Sequence, residues 1–302
     1  MGKIIIHLKS QSIGDTIASV PYISRFQETN SADEVYASIN DYLIQYFTLK
    51  YPNIIFLGRD YNIGPARTIY LEYSIGSSLS QSLSIQQVYA TQLGFTDAIY
   101  IRPEILFPEI PRRIKAKYIT IGVHSTAQLK YWNHPSGKRV QHLSMNWNIL
   151  CGMIRKAGYT PVVVEKDKLF GKPPYFNGLP SKANIKVGQN LTESMNLVYH
   201  SEFYIGLSSG MSWVAHAMGK PVAMISNFTE DWNEFDLATP DYIRITNKNS
   251  CHGCFNSATE GPKFNKDDWY SCPKHEGTER QFECHTSITP EQVFDKIKHW
   301  LV

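Results

Sequence analysis

The sequence predicts an α/β chain built from two nucleotide-binding-type lobes, and three observations carry that prediction. An isoleucine-rich run, Lys3–Leu8, hands over to a helical apolar pattern. A second such start follows at residues 118–123, after a proline-bearing stretch. The length of 302 residues suits two units of about 150 residues better than one core.

Each element follows from its pattern. Lys3–Leu8 scarcely alternates, as expected of a strand buried on both faces of a parallel sheet. After the loop 10–14, Ile17, Val20, Ile23 and Phe26 recur at helical spacing. Apolar runs at 34–39, 54–57 and 68–72 continue the strand pattern, and 86–93 reads as a further helix. The serine-rich stretch 74–84 reads as a mobile loop. Pro103, Pro108 and Pro111 mark a linker and put the boundary near residue 113, giving domains 1–113 and 114–302. The second half restarts as strand 118–123, helix 147–156 and strand 161–164. A strand at 203–205 then runs into the small-residue loop 206–210, a short helix ended by Gly219, Lys220 and Pro221, and a strand at 222–226.

Composition narrows the class. Hydrophobic residues make up 42% and charged residues 19%, an ordinary globular balance. The net charge of +3 is spread rather than striped, which argues against a nucleic-acid binder. The N-terminal apolar run is broken by His7 and Lys9, too early for a signal peptide or a membrane span, so a cytoplasmic protein is expected.

Four constellations could carry chemistry. Residues 10–16 stand where a parallel strand passes to its helix, the end of an α/β sheet where ligands bind. Asp15 there is well sited for catalysis, with helix capping as the plainer role. Gly206, Ser208, Ser209, Gly210 and Met211 open a helix whose free N–H groups suit a phosphate, although such glycines often serve packing alone. Ser125, Thr126, Gln128 and Lys130 follow the strand that opens the second half and offer hydroxyls, an amide and an ammonium to a diphosphate, a solvated lysine being the bland alternative. Cys251, Cys254, Cys272 and Cys284 crowd into segment 251–284, which lacks periodicity and promises little core. In a reducing compartment they suit a closed tetrahedral metal site, two disulfides being the rival and His252, His275 or His285 a possible fourth ligand. Cys151, within a helical pattern, reads as a buried small side chain.

Taken together, residues 12–17, 125–132, 206–213 and the Cys251 to Cys284 segment resemble the bacterial autotransporter heptosyltransferases. The most specific marks are residues 125–132, the run Gly210-Met211-Ser212-Trp213, and Asp268-Trp269 with Cys272-Pro273 and residues 280–284. The resemblance implies a GT-B fold: two Rossmann-like domains facing across a cleft, acceptor side first and nucleotide-sugar side second, with a C-terminal four-cysteine metal finger. It implies an inverting transfer of heptose from ADP-heptose to serines of a protein acceptor, with no catalytic metal. Asp15 is then the general base, Lys130 with Thr126 binds the diphosphate, and Glu165 meets the ribose. Glu234 and Trp232 are candidates near the sugar. The four cysteines would hold structural iron, with zinc also compatible with such a shell, and a homo-oligomer is implied.

Two departures bear on the acceptor. The first strand starts at Lys3, whereas the enzymes of this family carry a further N-terminal domain before that point. The loop 206–210 lacks the Asp-Thr-Gly of the related lipopolysaccharide enzymes, which disfavours a lipid A core acceptor. The same fold with another nucleotide sugar or a glycan acceptor, or a non-catalytic metal-finger scaffold, are the competing readings.

Overall fold

A computed structural model describes residues 2–10, 12–127, 130–132, 145–172, 175–265 and 271–301. The first lobe is a four-stranded parallel sheet made of β1 (Lys3–Leu8), β2 (Glu34–Ser38), β3 (Ile55–Leu57) and β4 (Arg67–Leu71), in the order β3-β2-β1-β4. β1 is central, and Ile6 registers against Ala37 on one side and Ile69 on the other. That placement explains its unbroken apolar run, since neither face meets water. Helices α1 (Ile13–Thr29), α2 (Asp41–Thr48) and α3 (Ile85–Gln92) complete the lobe.

The second lobe holds β5 (Tyr118–Gly122), β6 (Thr160–Glu165), β9 (Asn184–Val187), β10 (Tyr204–Leu207), β11 (Val222–Ile225) and β12 (Tyr242–Ile245), all parallel, in the order β12-β11-β10-β5-β6-β9. A hairpin of β7 (Leu169–Lys172) and β8 (Tyr175–Gly178) stands apart from that sheet. Helices α4 (Met145–Lys156), α5 (Leu191–Tyr199), α6 (Gly210–Ala217), α7 (Glu283–Thr286) and α8 (Pro290–Ile297) belong to this half. Cys151 is fully buried among the apolar side chains of α4, as a small core residue should be. No helix among the described residues is long and apolar enough to cross a membrane.

Each sheet reverses its strand order once. In the first, the chain steps outward from β1 through β2 to β3, then returns to place β4 on the other side of β1. In the second, β5 leads to β6 and β9 while β10 leads to β11 and β12. Crevices open beyond the carboxyl ends of strands at such switch points.

Two segments differ from their sequence reading. The proline-bearing stretch packs as a strap rather than hanging as a linker. Arg102 donates to both Asp241 carboxylate oxygens at 3.1 and 2.8 Å, the Ile105 N–H bonds the Ala217 carbonyl, and Phe107 is buried against Tyr46 and Tyr199. The serine-rich stretch is a run of turns anchored on the Cys-rich segment. Ser80 is fully buried, and its carbonyl accepts the Asn256 amide at 2.7 Å. Serine hydroxyls can satisfy turn backbone locally, which a composition-based reading overlooks. The Cys-rich segment also contributes to a small apolar core of its own, with Phe255 and Phe282 packed among Phe228, Cys254 and Cys272.

Candidate active site

The switch points of the two sheets face each other across a cleft of about 730 Å³. Its floor is set by two glycines. A Cβ on Gly14 would sit 2.8 Å from the Trp213 ring, and one on Gly210 would sit 2.9 Å from Ile13 Cβ, so only glycine lets the N-termini of α1 and α6 approach this closely. Both helix starts therefore open on the cleft, and both bring partial positive charge to it.

Asp15 lies in the first turn of α1 and lines the cleft. The capping role belongs to Ser12, whose hydroxyl accepts the Asp15 N–H at 3.4 Å, so the Asp15 carboxylate is not spent on the helix end. Ser10 Oγ donates to Asp15 Oδ2, and Oδ1 receives no hydrogen bond among the described residues. The Ser10 carbonyl in turn accepts from Arg59, whose Nε donates to Asn40 Oδ1 at 2.9 Å. Burial pushes the Asp15 carboxyl above its ordinary range; the Ser10 bond and the Lys130 charge oppose that shift, while Glu234 adds to it.

On the opposite wall, Lys130 Nζ donates to the Ser208 carbonyl and to Ser208 Oγ, both at 2.9 Å, and stands 5.1 Å from the Phe228 ring centre. Ser208 Oγ donates to Glu234 Oε1 at 2.6 Å. Glu234 Oε2 accepts from Thr229 at 3.2 Å and Arg244 at 3.1 Å. Burial draws the Lys130 pKa down, and the charges of Glu234 and Asp15 hold it up.

Glu165 caps the end of β6, where one carboxylate oxygen accepts the Val123 and His124 N–H groups at 2.5 and 2.8 Å. Its other oxygen lies 3.5 Å from His124 Nδ1. Burial lifts its pKa to about 7 against those two bonds. Ser125 and Thr126 line the cleft beside it, as do Ser208, Ser209, Gly210 and Met211. Ser209 caps α6 without a side-chain bond, and with the Ser212 N–H donating to the Ser209 carbonyl the Gly210 and Met211 N–H groups suit an anion.

Two sequence candidates fall elsewhere, and a third is not described. Gly206 does not line the cleft; a Cβ there would come within 2.5 Å of the Tyr204 ring, so this glycine serves packing. Trp232 is 41% exposed and lies off the lining. Gln128 lies outside the described residues. The sequence reading, for its part, missed Tyr73, which lines the cleft and donates to Asn233 Oδ1 at 2.7 Å, and Arg244, which is buried in β12. A charged residue between isoleucines in a short strand, as in Tyr242–Ile245, was the available signal for Arg244.

The cysteines of the C-terminal segment are all free thiols, and Cys254, Cys272 and Cys284 are buried. The Cys284 thiol is raised by burial and then by the nearby charges of Cys254, Cys251 and Cys272, so the four share one neighbourhood. That shared neighbourhood, rather than a closed four-sulfur shell, is what the described residues show. The donor group tight enough for an ion among the described residues is Cys251 with His275 and Glu283, whose donor atoms lie within 4.8 Å of one another. Glu283 accepts the Cys251 N–H at 2.9 Å, which brings a carboxylate to that sulfur.

A parallel α/β lobe on each side of a cleft, with a carboxylate on one wall and a cation beside an open helix start on the other, defines a glycosyltransferase of the GT-B type. The chain belongs to the autotransporter heptosyltransferase family. It is 31% identical over 301 residues to the autotransporter heptosyltransferase TibC of enterotoxigenic Escherichia coli, covering 96% of this chain and 69% of TibC. It is also 31% identical to Aah of Escherichia coli, covering 98% of this chain and 73% of Aah. The inactive autotransporter heptosyltransferase BimC of Burkholderia thailandensis is 28% identical, over 96% of this chain and 67% of BimC. The crystal structure of the iron-containing, dodecameric TibC superposes with a TM-score of 0.85 at 28% identity, over 98% of this chain and 76% of that one, and TibC has also been solved in complex with ADP-D-beta-D-heptose. No family model matches the chain.

Proposed function

We propose that this glycosyltransferase moves heptose from ADP-heptose to a serine hydroxyl of a protein acceptor, with inversion at the sugar carbon. The observation that carries the reading is the pairing of Asp15 and Lys130 across one cleft, near enough for each charge to shift the other's titration. A serine hydroxyl is a poor nucleophile until a base takes its proton; Asp15 would take it on Oδ1, since Oδ2 already accepts from Ser10. The departing diphosphate needs positive charge and hydrogen-bond donors, which Lys130 and the α6 start would supply together with the Thr126 hydroxyl. Glu165 would accept from the ribose hydroxyls. Residues 1–113 then form the acceptor-side domain and 114–302 the donor-side domain. The ADP-D-beta-D-heptose complex of TibC supports the choice of donor.

The Cys-rich segment fits a bound metal by its donor chemistry. Four neighbouring thiols, two of them in an apolar cluster, repel one another when ionised, and a cation would remove that cost. Cys251, Cys254, Cys272 and Cys284 would hold iron, with a structural role; TibC is iron-containing. A homo-oligomer and a cytoplasmic setting complete the reading, the first supported by the dodecameric TibC and the second by a cysteine cluster that suits a metal in a reducing compartment.

The test is a panel of nucleotide sugars offered with a serine-rich adhesin fragment and read by intact mass. A heptose-sized increment from ADP-heptose alone is expected. Transfer only from another donor, or only to a glycan, would replace the substrate assignment. The inactive relative BimC favours a scaffold as the second reading, and absence of transfer from every donor would support it.

A further inference from the structure

Glu234 was a sequence candidate for touching the sugar, yet its carboxylate is 4% exposed and both oxygens are engaged by protein groups. We propose that Glu234 acts through Ser208 to hold the Lys130 ammonium on the donor wall, as a positioning residue rather than a sugar ligand. The inference rests on the reading that Lys130 binds the diphosphate.

The argument begins with one proton. A serine hydroxyl has a single hydrogen to give, and that of Ser208 goes to Glu234 Oε1 at 2.6 Å. Its lone pairs are thereby turned to Lys130, whose ammonium also donates to the Ser208 carbonyl. Two of three ammonium hydrogens are then committed, which fixes where the third can point. The charges follow the same order. Lys130 faces Glu234 from the loop after β11, Asp15 from α1 and Arg244 from β12. Glu234 lies between two cations, Lys130 and Arg244, and tempers the repulsion between them. Arg244 keeps a second carboxylate, Asp231, at 3.2 Å. Removing the Glu234 charge therefore leaves Arg244 ionised and shifts the burden to Lys130. A buried ammonium deprived of its nearest counter-charge gives up its proton more readily.

The experiment is calorimetric titration with ADP from about pH 6.5 to about pH 9.5, on the acid side of the ordinary lysine value of about 10.4. The samples are the wild type, Lys130→Ala, Glu234→Gln, Glu234→Gln with Lys130→Arg, and Ser208→Ala. Glu234→Gln should bind ADP about tenfold more weakly at the alkaline end, with the loss setting in at lower pH than in the wild type. The added Lys130→Arg should flatten that pH dependence, because a guanidinium keeps its charge. Ser208→Ala, which alters no charge, should weaken binding about threefold even if Glu234→Gln folds poorly. Wild-type affinity in both Glu234→Gln and Ser208→Ala overturns the inference. So does a Glu234→Gln loss that is equal at every pH and indifferent to Lys130→Arg. Unchanged affinity in Lys130→Ala removes the diphosphate reading itself, and the inference with it.

Discussion

The two walls of the cleft are built on opposite plans. The Asp15 wall is sparse: one carboxylate, one hydroxyl donor on Oδ2 and an uncommitted Oδ1. The Lys130 wall is dense, with the ammonium locked to Ser208, Ser208 to Glu234, and Glu234 to Thr229 and Arg244. A base must exchange protons, so a site with an open oxygen and an upward-shifted pKa serves it. A leaving-group clamp must stay charged and still, so a saturated network serves it. Chemistry on one wall and donor binding on the other is the proposed division, and this contrast supports it.

The most severe break is Asp15→Asn, which should lower kcat by roughly 10²- to 10⁴-fold in a transfer assay. Next is the footing of the opposite wall. Trp132, two residues beyond Lys130, is fully buried, donates to the Ile288 carbonyl at 2.7 Å and meets Trp147 edge-on at 4.8 Å. Trp132→Ala should cost about 3–5 kcal/mol of stability in denaturant unfolding and weaken ADP binding along with it.

Subtler is the pH profile of the sparse wall. The base must be ionised to act, and its raised pKa leaves it protonated at pH values where an ordinary aspartate is already charged. Activity should therefore rise with pH through that raised pKa. The Ser10 bond holds the pKa down, so Ser10→Ala should move the acid limb of kcat to higher pH, with a loss of a few-fold at neutrality.

The smallest effect concerns Glu165, which ties the donor side to a third carboxylate. Its folded pKa of about 7 lies above the ordinary value of 4.5, so the folded state holds the proton more tightly and stability falls as pH rises between the two. Glu165→Gln has no such proton to lose. Its Tm should climb relative to wild type between pH 5 and pH 7, by about a few degrees.

The sequence disclosed the scaffold more readily than the site's interior. Isoleucine runs disclose buried parallel strands because burial on both faces leaves no room for polar residues, and β1 matches its expected span residue for residue. Asp15, Lys130 and the 208–211 loop were legible because switch-point chemistry lies at strand ends, which patterning locates. The hairpin of β7 and β8, with the short strands β9 and β12, went unread because their four residues lack the unbroken apolar run that marks the equally short β11. The Glu234–Arg244 pairing was invisible for another reason. It joins side chains ten residues apart that meet only after β11 and β12 align. Two glycines of one loop show the same limit: Gly206 and Gly210 look alike in sequence, yet one accommodates a tyrosine ring and the other a neighbouring helix.

The division of labour is tested most directly by measuring, on the same preparations of Asp15→Asn and Lys130→Ala, the ADP affinity by calorimetry and the rate of heptose transfer by intact mass. Asp15→Asn should keep wild-type ADP affinity within about threefold while transfer collapses, and Lys130→Ala should lose ADP affinity by about tenfold or more. Transfer surviving in Asp15→Asn, or ADP affinity falling equally in both variants, would contradict the account.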